Sequence, residues 1–303
     1  MLIPPPRCGK STMESRRQLE NINRDSMLLP SLALLGSQIS VNLGAAVAKN
    51  LFGVIGVEGI TAFRVGFSAL LLMAIFRPWR SPMTRRDVVN LVVYGTVMGM
   101  MNLLIYRAFN RIPIGIAVAI EVTGPLLVAL LSSRRPRNIA SCALAVFGLY
   151  LLLPVSRGAE RLDPTGVAYA FGAAACWALY IVFGKRASTL RGGQAVAWGM
   201  LVASLFIVPI GVAYIDASTL TPAIVLTGLA IAVLSSAVPY SLEIVALRGL
   251  PQGLFGMLSS AAPAVSALAG MLILGERLKP MQWFAIACIV LASAVCATSA
   301  RDK

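Results

Sequence analysis

Pro113-Ile114-Gly115-Ile116-Ala117-Val118-Ala119-Ile120-Glu121-Val122-Thr123-Gly124-Pro125 and, 138 residues later, Pro251-Gln252-Gly253-Leu254-Phe255-Gly256-Met257-Leu258-Ser259-Ser260-Ala261-Ala262-Pro263 carry Pro, Gly and Pro at matching places. Each stretch is part of an apolar run long enough to cross a bilayer. The same offset brings Leu104 onto Leu242, Ala108 onto Ala246 and Ala129 onto Ala267. An offset of 136 brings Gly36 onto Gly172, Leu43 onto Leu179 and Lys49 onto Lys185. Small residues coincide easily between membrane helices, so the paired prolines carry most of the weight. A Pro inside a helix removes a hydrogen bond and frees a carbonyl. In a membrane that carbonyl needs a neighbour or a water-lined cavity. Pro125 and Pro263 are therefore read as paired helix breaks. The blander reading of either alone is a packing kink.

Working outward, the apolar runs give ten expected spans: Leu28–Ala48, Gly59–Phe76, Val88–Tyr106, Pro113–Ser132, Ile139–Val155, Pro164–Phe183, Ala195–Tyr214, Pro222–Ala246, Gly253–Leu274 and Met281–Ala300. Pro136, Pro164, Pro222 and Pro280 stand at or just before span starts, where a missing N–H costs little. The ten fall into two fives. Because five is odd, a tandem copy inserts upside down, an arrangement that places a solute site near the midplane between the halves. The expected fold is thus an all-α integral membrane protein of ten transmembrane helices in two inverted five-helix repeats, residues 28–156 and 157–303. Residues 1–27 are polar, lack a signal-peptide core and are expected to be a disordered cytoplasmic tail.

Composition agrees. The hydrophobic fraction is 58%, mean hydropathy is +0.81 and only 13% of residues are charged. The net charge of +14 does not imply nucleic acid, because Arg and Lys sit in connectors and not on one basic face. Arg77, Arg80, Arg85 and Arg86, then Arg134, Arg135 and Arg137, then Lys185, Arg186 and Arg191 load alternate connectors, as do Arg7, Lys10, Arg16, Arg17 and Arg24 in the tail. The other side holds Lys49, Arg107, Arg111, Arg157, Arg161, Arg277 and Lys279. The bias puts both termini in the cytoplasm. There is no His and no CxxC pair among Cys8, Cys142, Cys176, Cys288 and Cys296, so neither a metal site nor a cofactor is expected. Gly9-Lys10-Ser11-Thr12 lacks the leading Gly of a phosphate loop, since Pro4 stands there.

Glu121 is the sharpest chemical signal. It lies eight residues beyond Pro113, roughly 12 Å along a helix and so near mid-membrane. A carboxylate there is costly and faces a water-filled cavity or a partner. It suits exchange of a proton or contact with an ammonium group. Glu243 shares a face with Ser236 and Tyr240 and is expected near the cytoplasmic end, where Arg248 is a simpler partner. Trp177 and Tyr180 share a face and either wall a solute cavity or pack as ordinary aromatics. Asn102, Ser40 and Asn42 offer hydrogen bonds to a polar solute or between helices. Arg64, six residues after Glu58, is read as a structural residue that snorkels to the outer surface.

These residues also carry a family likeness. Gly275-Glu276-Arg277-Leu278-Lys279-Pro280, between two apolar helices, resembles the hallmark of the EamA branch of the drug/metabolite transporter superfamily. The likeness extends to Gly115–Glu121, Thr123-Gly124-Pro125, Ser132-Ser133-Arg134-Arg135-Pro136, Ala175-Cys176-Trp177-Ala178 and Pro239-Tyr240-Ser241-Leu242-Glu243. It implies an inner-membrane exporter, not an enzyme, with a central cavity lined by helices 1, 3, 4, 6, 8 and 9. It points to small neutral amino acids, threonine and homoserine first, with protons as the counter-moving partner. Asn102, Glu121, Trp177, Tyr180 and Tyr240 then lie on cavity-forming helices. Related members carry a Glu directly before the ninth-helix Pro. Ala262 stands there in this chain, which leaves Glu121 as the principal central acid. The rival readings are an exporter of drugs or other metabolites and, in another class, a membrane scaffold or sensor.

Overall fold

The computed structural model describes residues 10–80, 83–132, 136–152, 162–187, 193–250 and 252–299. Among them there is no strand. Eight helices are long and apolar enough to cross a membrane, and two shorter apolar helices, Ile114–Val128 and Pro136–Leu152, complete the expected ten. They are α1 (Lys10–Asn50), α2 (Phe52–Phe76), α3 (Arg85–Phe109), α4 in two segments (Ile114–Glu121 and Thr123–Ser132), α5 (Pro136–Leu152) and α6 (Pro164–Ala187). There follow α7 (Gln194–Tyr214), α8 (Pro222–Gly249 with an interruption), α9 in two segments (Gln252–Ser259 and Ala262–Leu274) and α10 (Pro280–Ser299). The membrane-crossing part of α1 is Met27–Asn50, and its helical backbone runs back to Lys10, within the stretch read as a tail. The connectors with Arg134 and Arg135, with Arg157 and Arg161, and with Arg191, together with Cys8 and Pro251, lie outside the described residues.

Local chemistry sets the ends. Thr84 and Asp87 form a reciprocal capping box at the start of α3. Thr221 caps α8 ahead of Pro222. α9 stops at Gly275, whose φ of 66° is left-handed and favours glycine. α2 begins seven residues before its expected start and bends at Gly56, where φ is 73°.

The most extensive helix contacts are preserved when each helix of the first five is exchanged for its counterpart in the second five. The contact of α1 with α8 answers that of α6 with α3, and α1 with α9 answers α6 with α4. The contacts of α2 with α7, α4 with α9 and α5 with α10 map onto themselves. The breaks obey the same relation. α4 breaks at Val122 and α9 at Ser260 and Ala261, near-equivalent places in the two repeats. Both lie upstream of the prolines because a Pro ring meets the carbonyl four residues earlier, here that of Glu121 and of Ser259.

The eighth span, Pro222–Ala246 as expected, carries a local irregularity. Val233–Ala237 forms a π turn ahead of Pro239. Side chains of neighbouring helices serve it: Ser40 Oγ donates to the Leu234 carbonyl at 2.7 Å, and Ser68 Oγ donates to Ser236 Oγ at 2.7 Å.

One end of the bundle is closed by ion pairs. Lys49 meets Glu276 at 2.7 Å, Arg107 meets Glu58 at 3.0 Å and Arg111 meets Asp163 at 2.7 Å. Arg111 and the backbone N–H of Thr165 hold the Asp163 carboxyl below the usual carboxylate range. Glu276, from the Gly275–Pro280 motif, does more than pair. Its Oε2 accepts the Ile114 N–H at 3.0 Å, so it caps α4, while Lys49 also donates to the Ile112 carbonyl at 3.1 Å. One carboxylate thus ties the α9–α10 connector to α1 and α4. Glu276→Ala removes the pair and the cap together and is expected to cost about 3 kcal/mol. Denaturant unfolding in detergent measures this. A loss below about 1 kcal/mol, the range of a surface pair, would contradict it.

Candidate substrate cavity

Glu121 ends the first segment of α4, at the break itself, and its side chain is buried. It faces a cavity of about 220 Å³ walled mostly by the first five helices, with Trp177 and Ala262 from the second five. Around it stand Gln38 and Asn42 from α1, Arg64 from α2, Asn102 and Tyr106 from α3, Trp177 from α6 and Ala262 at the α9 break. The expected grouping of Glu121, Asn102 and Trp177 is therefore present. Among the described residues nothing closes an ion pair or hydrogen bond on the Glu121 carboxylate. Asn42 Nδ2 donates to the Gln38 carbonyl and Asn102 Nδ2 to the Met98 carbonyl, both at 2.8 Å. Each amide keeps an acceptor oxygen and a second N–H.

Tyr180, Tyr240 and Glu243 are not part of this cavity wall. They belong to a second cluster, nearer the end of the bundle where α1 and α3 begin. Tyr94 Oη donates to Tyr180 Oη at 2.8 Å, and the two rings stack with centroids 4.8 Å apart. Tyr240 packs against the same group. Ser37 Oγ donates to Glu243 Oε1 at 3.0 Å, so the acid is met by α1 and not by Arg248. This layer joins α1, α3, α6 and α8 beneath the cavity.

Arg64 is the residue the sequence reading misplaced. It lines the cavity, with its guanidinium 4.8 Å from the centre of the Tyr106 ring. Its position follows from the early start of α2, which puts Arg64 well inside the helix. The signal was available, because a cation inside a span is a functional candidate by default. A larger void of about 390 Å³ lies among α4, α5 and α6, but its lining is almost wholly apolar, with Leu126, Cys142 and Phe171. It offers a polar solute little.

A ten-helix bundle whose two broken helices meet at a buried acid and a cavity with several polar side chains is the architecture of a multi-pass membrane transporter. The chain belongs to the EamA-like transporter family, which it matches over residues 164–298, from the first residue of α6 into the last turns of α10. It is 45% identical over 265 residues to the threonine/homoserine exporter RhtA of Escherichia coli (strain K12), covering 88% of this chain and 90% of that protein. The exporter of the same name from Salmonella typhimurium (strain LT2) is 46% identical over the same length, with the same coverage. The uncharacterized transporter YwfM of Bacillus subtilis (strain 168) is 28% identical over 261 residues, 80% of this chain and 84% of that one. A crystal structure 21% identical in sequence shares the fold, with a TM-score of 0.61 over 90% of this chain and 98% of the other.

Proposed function

We propose that this transporter exports small neutral amino acids, threonine and homoserine first, across the bacterial inner membrane in exchange for protons. What carries the reading is the combination of Glu121 with the Asn42 and Asn102 amides, each keeping spare hydrogen-bonding capacity, in one small cavity, in a chain 45% identical to an exporter of those solutes. Glu121 binds the substrate ammonium or a proton, but not both at once. Asn42 and Asn102 meet the substrate's polar groups. The Tyr94–Tyr180 layer and the Lys49–Glu276 cluster close the two ends in turn as the halves, residues 28–156 and 157–303, rock about the site. Both termini are cytoplasmic, with residues 1–27 a cytoplasmic N-terminal tail. The loading of Arg and Lys on alternate connectors supports that orientation.

The rival within the family is export of lipophilic cations or other metabolites, which Glu121 and Trp177 also suit. Competition separates the two. Counterflow of labelled homoserine in proteoliposomes is expected to be inhibited by unlabelled threonine and homoserine and unaffected by an aromatic quaternary ammonium compound. Inhibition by the cation alone would reverse the assignment.

A further inference from the structure

Toward the ion-paired end, α1, α2, α3 and the turn after α3 carry four cations among the described residues: Lys49, Arg64, Arg107 and Arg111. Three have a carboxylate. Glu276 takes Lys49, Asp163 takes Arg111, and Glu58, the acid nearest to Arg64 in sequence, takes Arg107. Arg64 has none within ion-pair distance among the described residues. It lies about 9 Å below Glu58 along α2, deep enough that an unmatched charge is costly. Its support is the Tyr106 ring, which sits against the guanidinium at 4.8 Å. That contact supplies no anion, so the fork that grips carboxylates has no carboxylate partner among the described residues. Across the same cavity Glu121 feels the Arg64 charge but makes no ion pair or hydrogen bond among the described residues. The two charges line one cavity and form no ion pair with each other.

We infer that Arg64 is the carboxylate receptor of the transport site, so that the cavity selects zwitterionic α-amino acids by holding both charges at once, the ammonium on Glu121 and the carboxylate on Arg64. This rests on the amino-acid reading above and narrows it. A cavity of about 220 Å³ lets a small amino acid bridge the two charges, with Asn42 and Asn102 facing its side chain. The arrangement also works against lone cations. A drug-like ammonium attracted by Glu121 meets Arg64 in the same space, uncompensated. A site built to bond a carboxylate discriminates strongly against the analogue that lacks it, because its own buried group is then left unpaired.

The test is counterflow of labelled homoserine in proteoliposomes, challenged with unlabelled homoserine, its methyl ester and 3-aminopropan-1-ol, which lacks the carboxylate. In the wild-type protein the ester and the amino alcohol are expected to compete about thirtyfold more weakly than the amino acid, or worse. Arg64→Gln is expected to raise the half-saturation concentration by a similar factor and to erase the preference for acid over ester. Arg64→Lys, which keeps the charge and loses the fork, recovers part of both. Equal competition by the ester in the wild-type protein would overturn the proposal without any variant having to fold. So would an Arg64→Gln protein with unchanged half-saturation. The substrate reading fails separately. If the folded wild-type protein exchanges neither threonine nor homoserine, tryptophan fluorescence titrated with other α-amino acids and their esters decides. A response to acids alone keeps Arg64 in its role with a different substrate, and no preference for acids removes both.

Discussion

Glu121→Gln, reconstituted in proteoliposomes, is expected to lose the response of transport to a pH gradient and to bind substrate about thirtyfold more weakly. The amide has the size of the carboxylate but neither titrates nor carries charge. It removes the proton exchange and the attraction to an ammonium group together. The position leaves little room for compensation. Glu121 closes the first segment of α4, and among the described residues the wall of its cavity holds no second carboxylate, the α9 residue there being Ala262. Flux against substrate concentration, with and without the gradient, separates the two losses. A Glu121→Gln protein with normal rate and normal pH dependence would remove this residue from the mechanism.

Gly115→Val is expected to prevent assembly of the bundle. A Cβ at Gly115 would lie 2.6 Å from Ala267 Cα and 2.9 Å from Ala267 N, so it meets backbone and not a movable side-chain end. α4 and α9 cross there, and their close approach depends on small residues on both sides. Relief requires one helix to move away, and α4 also carries Glu121 and its cap from Glu276. Overpacking of this kind costs about 3 kcal/mol or more when backbone opposes it. The readout is the yield of monodisperse protein in detergent and its thermal midpoint. Gly53→Ala is the control, because nothing lies within 4 Å of a Cβ there. Its stability is expected to stay within about 0.5 kcal/mol of wild type. Equal behaviour of the two variants would contradict the packing argument.

Hydropathy and proline spacing made the ten spans legible, because a membrane span must be apolar and must satisfy its own backbone. Glu121 was legible for the same reason, as an acid too deep to be incidental. Arg64 was legible as a cation within a span but not as a deep one, because Gly53, Gly56 and Glu58 make the start of α2 look like a connector. With the helix started at Gly59, the Arg falls near the surface. The partner of Glu243 was missed for a geometric reason. Arg248 is five residues away on the same helix and does not face it, whereas Ser37 reaches it from α1. The Tyr94–Tyr180 stack joins residues 86 apart in sequence, and no local periodicity encodes such a contact. The π turn at Val233–Ala237 depends on Ser40 and Ser68 in other helices, so it too appears only once the bundle is assembled.

Counterflow of labelled threonine and homoserine into proteoliposomes of the wild-type protein, with and without an imposed pH gradient, asks the most direct question. Exchange of either amino acid that accelerates with the gradient is the expected result. Absence of exchange by folded protein, or exchange indifferent to the gradient, would contradict proton-coupled amino-acid export.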